Sequence, residues 1–162
     1  MKEDNKKILL IGFGNPARAD DGLGPALAEI IESKNIPAVT VEADYQLAIE
    51  DSSQIAENDI VIFADASANC CEPFSFEPLA ARESGSFSSH SVEPAEIMAL
   101  AENLFKAKAK GYILGIRGYE FNSFSEGLTD KAKNNLQKAV CFIEGLLKTK
   151  NFNKISETIA CF

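Results

Sequence analysis

The feature that most constrains the fold is a short unbroken apolar run closed by glycine, Lys7-Ile8-Leu9-Leu10-Ile11-Gly12, near the start of the chain. A strand with one face in water alternates polar and apolar residues, so a run without alternation is one covered on both faces. A second such run, Ile60-Val61-Ile62-Phe63-Ala64, ends at Asp65, and a β-branched run from Ala38 to Glu42 lies between the two. Helical spacing fills the gaps. Leu23, Leu27, Ile30 and Ile31 recur at helical intervals around Pro25 until Asn35-Ile36-Pro37, and Leu47 to Ala56 reads as a polar-rich helix. Strands alternating with helices at these lengths predict an α/β chain, a three-layer α/β/α sandwich around a mainly parallel, twisted sheet.

The second half continues the pattern after a weaker stretch. Between Ser67 and Ser89 only Phe74 and Phe76 alternate, as in a hairpin or edge strand, with Pro73, Pro78 and Gly85 as punctuation. Pro94 then opens an amphipathic helix whose apolar positions are Ile97, Leu100, Ala101, Leu104 and Phe105, and Tyr112 to Ile116 is a further strand. Gly118 to Gly127 reads as a loop. Thr129 is placed to cap a last helix with Ala132, Leu136, Ala139, Val140, Ile143, Leu146 and Leu147 on one face. A length of 162 residues suits one domain, assigned to 1–150, with 151–162 read as a tail outside it because no period continues there.

Charge and cysteine usage exclude several classes. Sixteen basic against twenty-four acidic residues leave a net charge of −8, the wrong sign for tracking a phosphate backbone, so no nucleic-acid partner is expected. No apolar run approaches the ~20 residues that cross a bilayer, and the opening MKEDNKK has no apolar core, so no membrane partner and a cytoplasmic location are expected. Cys70, Cys71, Cys141 and Cys161 show no metal-ligand spacing and read as free thiols.

Ligands of an open α/β sheet bind beyond the carboxyl ends of its strands. Asp20-Asp21 follows the first strand and Asp65 ends the third. His90, the only histidine, lies in the loop before the helix at Pro94. With strands one and three as neighbours, Asp21, Asp65 and His90 come to one edge. Two carboxylates and an imidazole suit a borderline divalent ion such as nickel or zinc with positions left open; equally they can serve as acid, base and orienter around a water. The bland readings are a turn or cap for the two Asp positions and a solvent-facing loop histidine. Gly14 and Gly22, with Asn15 and Asp20, would support the loop, the glycines by close approach or positive φ. The same loop formally matches a dinucleotide fingerprint, Gly12-Phe13-Gly14-Asn15-Pro16-Ala17, with Glu42 or Asp44 for the ribose. Pro16, Asp20-Asp21-Gly22 and Pro25 delay the helix, however, and the carboxylates would repel a diphosphate.

The stretch from Ile8 through Gly12-Phe13-Gly14-Asn15-Pro16 and Asp20-Asp21-Gly22-Leu23-Gly24-Pro25 resembles the amino-terminal signature of the [NiFe]-hydrogenase maturation endopeptidases. Phe63-Ala64-Asp65-Ala66, Ser88-Ser89-His90-Ser91 and Gly127-Leu128-Thr129 extend the resemblance in the same order, over residues 7 to about 147, while Cys70 to Phe87 has no counterpart. The resemblance implies a cytoplasmic hydrolase that removes the carboxy-terminal extension of a hydrogenase large-subunit precursor once nickel is in place. It also implies that Asp21, Asp65 and His90 contact that nickel, which the substrate brings, with no stored organic cofactor. Asp21 stands where some members carry Glu. No serine or cysteine sits in a nucleophile context such as G-x-S-x-G, which fits a water polarised by the substrate's own metal. A second reading from another class is a non-catalytic nickel-checkpoint or chaperone module for the same precursor.

Overall fold

The computed structural model describes residues 5–83, 92–153, 155 and 159–160. Six strands form one sheet: β1 (Ile8–Phe13), β2 (Val39–Asp44), β3 (Ile60–Ser67), β4 (Phe74–Leu79), β5 (Lys110–Arg117) and β6 (Ile159–Ala160). Their spatial order is β2-β1-β3-β5-β4-β6. The first four in that order are parallel; β4 runs antiparallel to β5, and β6 antiparallel to β4. Four helices flank the sheet: α1 (Leu23–Ser33), α2 (Asp51–Ala56), α3 (Pro94–Phe105) and α4 (Asp130–Thr149).

The unbroken apolar runs have the consequence expected of them. Ile8, Leu10, Ile60 and Ile62 face one layer, where they pack with Leu27 and Ile31 of α1 and Ala139 and Ile143 of α4. Leu9, Ile11, Val61 and Phe63 face the other, with Ile55 of α2 and Ile97 and Met98 of α3. Burying each such side chain contributes about 1.5–3 kcal/mol, so the two layers hold the central strands from both sides. Pairing β1 with β3 places Gly12 against Ala64, which sets the end of the first strand beside Asp65.

Several boundaries differ from the sequence reading. The helix expected over Leu47 to Ala56 begins only at Asp51, because Asp51 Oδ2 accepts from Ala48 N at 2.8 Å and closes a turn ahead of it. Strand β3 does not stop at Asp65 but continues to Ser67, pairing with Arg117 of β5. In α3 the apolar series overruns the core. Ile97 and Ala101 are buried together with Met98, whereas Leu104 is 61% and Phe105 49% exposed, beyond the end of the layer that α2 and α3 share. The segment after Lys150 joins the domain: Phe152 and Ile155 are buried against the α4 side, and β6 extends the sheet. Its aperiodic pattern reflects two isolated anchors. Cys70 and Cys141 are free thiols, but Cys71 is disulfide-bonded to a partner outside the described residues, which corrects the reading of all four as free. Linear spacing carries no information about which sulfurs a fold brings together. Among the described residues no helix is long and apolar enough to cross a membrane.

Candidate active site

The loops at the carboxyl edge of β1, β3 and β5 meet around Asp20, Asp21 and Asp65. The chain leaves β1 through Gly14, at φ +144°, a conformation L side chains rarely adopt. A Cβ there would lie 2.1 Å from the carbonyl oxygen of Asp21, so the loop folds back onto the glycine itself. Asn15 closes the return: its Oδ1 accepts from Ala17 N at 2.9 Å, and its own N–H donates to Asp21 Oδ2 at 2.9 Å. A 3-10 turn, Ala19–Gly22, follows, with Asp21 N donating to Arg18 O. Gly22 lets this turn pack on Pro16, whose Cα would be 2.9 Å from a Cβ. Helix α1 starts only at Leu23, so the glycine pattern after β1 does not present a helix N-terminus as a dinucleotide site requires.

Asp20 and Asp21 are neighbours in sequence with opposite surroundings. Asp20 is fully buried. Its Oδ2 accepts from Tyr119 N at 2.8 Å, Glu120 N at 3.0 Å and Thr129 Oγ1 at 2.8 Å, and its Oδ1 from Thr129 N at 2.8 Å. Burial by itself would raise its pKa, but the donors from Thr129, Tyr119 and Glu120 together outweigh it and hold the carboxyl below its ordinary value. Backbone bonds from Ala19 N to Ser125 O and from Asp20 N to Glu120 O complete the junction. The loop carrying Asp21 is thereby fastened to the loop after β5, across about a hundred residues of sequence.

Asp65 lies near the end of β3 and its Oδ1 accepts from the neighbouring Ala66 N at 2.8 Å. Burial is the main cause that pushes its pKa up to about 7, opposed by the Ala66 bond and reinforced by the negative charge of Asp21. The last cause identifies the two carboxylates as electrostatic neighbours. Neither is ion-paired with a basic side chain among the described residues. Gly115 stands opposite Asp65 in β5, and the space its missing side chain leaves is taken up by Ser75, Ser67 and Cys70. His90 lies outside the described residues. Within them no three His, Cys, Asp or Glu side chains converge on a metal position, so Asp21 and Asp65 form a pair.

Similar solved structures complete this description. No family model and no curated sequence matches the chain. Among solved structures, the [NiFe] hydrogenase maturation protease HycI from Thermococcus kodakarensis KOD1 superposes with a TM-score of 0.70 at 22% identity, over 91% of this chain and 98% of its own. The hydrogenase maturating endopeptidase HybD from E. coli gives 0.70 at 20% identity, over 95% and 97%. The hydrogenase 2 maturation peptidase from Thaumarchaeota archaeon SCGC_AB-539-E09 gives 0.62 at 20%, over 88% and 99%. The chain has the hydrogenase maturation protease fold. Within that fold the linear sequence singled out Asp21 and Asp65 but not the partners of Asp20. Thr129 reads in sequence only as a helix cap, and it does accept from Ala132 N at 3.3 Å, yet it also supplies two of the donors that hold Asp20. No local spacing signals that second role.

Proposed function

We propose that this protein is an endopeptidase that removes the carboxy-terminal extension of a [NiFe]-hydrogenase large-subunit precursor in the cytoplasm, acting on precursor that already carries nickel. The observation that carries the reading is the Asp21–Asp65 pair: two carboxylates close enough to influence each other's charge, without a basic partner among the described residues, at the carboxyl edge of a maturation-protease fold. Such a pair favours a cation delivered by the substrate, since hard oxygen donors and a local excess of negative charge attract a divalent ion. His90 is the third contact in this proposal, on the strength of the sequence resemblance. The substrate's nickel supplies Lewis acidity when docked.

The chain's own residues do the rest. Asp21, held by Asn15 N, fixes the metal-bearing loop of the precursor against the β1 end. Asp65 is the second contact: burial pushes its carboxyl up to about 7 in the metal-free protein, docking of a divalent ion would displace that proton, and the freed carboxylate orients the metal-polarised water that attacks the scissile carbonyl, the water's proton passing to the leaving amine. The test is a mass measurement on purified nickel-loaded precursor incubated with this protein alone. Loss of the extension is the expected result, with none from precursor lacking nickel. Stable complex formation without any mass change would overturn the proteolytic reading in favour of a nickel-checkpoint module.

A further inference from the structure

Two of the chain's three arginines stand at the site edge without an anionic partner. Arg82 is ion-paired with Glu93 at 3.1 Å, but Arg18 and Arg117 pair with no carboxylate among the described residues. Each is instead stacked on an aromatic ring of the loop after β5: the Arg18 guanidinium 5.7 Å from the centroid of Phe124, that of Arg117 5.4 Å from Tyr119. In both the Nε atom is shielded from solvent and has no hydrogen-bond acceptor among the described residues. Both flank the carboxylate pair. Arg18 opens the turn that carries Asp21, and Arg117 pairs with Ser67, two residues beyond Asp65, hence on the same face of the sheet. Arg117 Nη1 donates to Cys70 O at 2.7 Å, which fixes the guanidinium plane; with Nε shielded, the Nη end is the one that can meet an incoming ligand.

We propose that Arg18 and Arg117 form an anion-reading rim that binds carboxylate side chains of the precursor segment flanking the scissile bond. A guanidinium whose plane is already fixed presents a two-donor fork that matches a carboxylate, and an aromatic ring beneath it limits its rotation. The setting adds to this. On a chain of net charge −8 the general surface repels acidic segments, and the two guanidinium groups, with Lys131 also over the Tyr119 ring, give such a segment a local cationic place to dock. Phe124, 85% exposed, adds an apolar surface next to Arg18 against which the peptide chain can lie.

The experiment has two arms, of which only the second rests on the proteolytic reading. In the first, the Nε–H signals of 15N-arginine-labelled protein are followed by NMR during titration with a blocked peptide of glycine and glutamate and with its glutamine counterpart. The glutamate peptide is expected to move the signals of Arg18 and Arg117 and the glutamine peptide to leave them in place. Arg18→Lys and Arg117→Lys, which keep the charge and lose the fork, should each weaken binding about tenfold. In the second arm the same variants should raise KM for nickel-loaded precursor by about tenfold with kcat little changed. Equal binding of both peptides, unmoved Nε–H signals at millimolar peptide, or wild-type KM in both folded variants would overturn the proposal. Should Arg117→Lys fail to fold, the wild-type titration and Arg18→Lys still decide. Should wild-type protein fail to cleave, the proteolytic reading falls while the peptide arm stands.

Discussion

Two carboxylates, Asp20 fully buried and Asp65 partly buried, sit at the same edge of the sheet and are treated in opposite ways. Asp20 receives four donors from Tyr119, Glu120 and Thr129, whereas Asp65 receives the N–H of its own neighbour and faces a second negative charge. A satisfied buried carboxylate is a fastening; an under-satisfied one is a group held ready for something the protein does not itself contain. The difference separates a carboxylate that fastens two loops together from one that, in the proposed function, acts on the substrate.

The largest effects should fall on the acting side. Asp65→Asn and Asp21→Asn keep shape and lose charge. Each should lower kcat/KM for nickel-loaded precursor by at least about a hundredfold, since removing one group of a preorganised charge arrangement typically costs that much or more. Circular dichroism and melting curves should show both variants folded. Cleavage by Asp65→Asn at close to the wild-type rate would remove the distinction between the two carboxylates.

Asp20→Asn should instead act on stability. The amide retains one acceptor but turns N–H groups toward the donors of Tyr119, Glu120 or Thr129, a loss of about 2–3 kcal/mol. Activity should then fall in proportion to the loosening of the Asp21 loop, and Thr129→Val should reproduce part of it through the lost hydroxyl. A melting temperature unchanged in both variants would show that the junction of the two loops contributes nothing.

Much of this edge was legible in the sequence. The apolar runs up to Gly12 and Asp65 mark the two central strands, though β3 runs on to Ser67, because strands covered on both faces cannot alternate, and the face of α4 from Ala132 to Leu147 is buried as its spacing requires. What escaped is long-range. The donors of Asp20 lie 99 to 109 residues away, the disulfide of Cys71 has no local signature, and Phe152 and Ile155 are single anchors in an aperiodic segment. Leu104 and Phe105 keep helical spacing past the point where the α2–α3 layer ends, so periodicity alone overstates the core by a turn.

The pH dependence of stability should separate the two carboxylates by sign. Asp65 has a folded value of about 7 against an ordinary 3.8, so the folded state holds a proton that the unfolded state has lost between those values, and stability falls as pH rises through that window. Asp65→Asn should therefore melt higher than wild type at about pH 8, by at most about 4 kcal/mol, with the gain shrinking to nothing near pH 4. Asp20 is shifted downward, so its contribution is complete above its ordinary 3.8 and is lost only as pH falls through the lower folded value. The penalty of Asp20→Asn should accordingly be flat from neutral pH down to mild acid. A falling Asp20→Asn penalty between pH 7 and pH 5 would contradict the assignment.

The smallest effect expected concerns Cys70, the thiol nearest to the acting side. It lies over Gly115, which pairs with Asp65, and its Sγ donates to Gly115 O at 3.5 Å. A thiol that nucleophilically attacked the precursor would need a base to deprotonate it, and its described partner is a carbonyl oxygen. Serine keeps a donor of similar size in place, so Cys70→Ser should change kcat/KM by less than about twofold and leave the unfolding free energy within about 0.5 kcal/mol of wild type. Cys141→Ser should likewise leave turnover unaffected, because Cys141 is exposed on α4 and lines a groove with Pro73 and Phe142 rather than the carboxylate edge. A folded Cys70→Ser protein that binds nickel-loaded precursor normally but has lost turnover would transfer the reacting role from the water beside Asp65 to the Cys70 sulfur. The contrast between Asp20 and Asp65 would then describe two ways of supporting a thiol site.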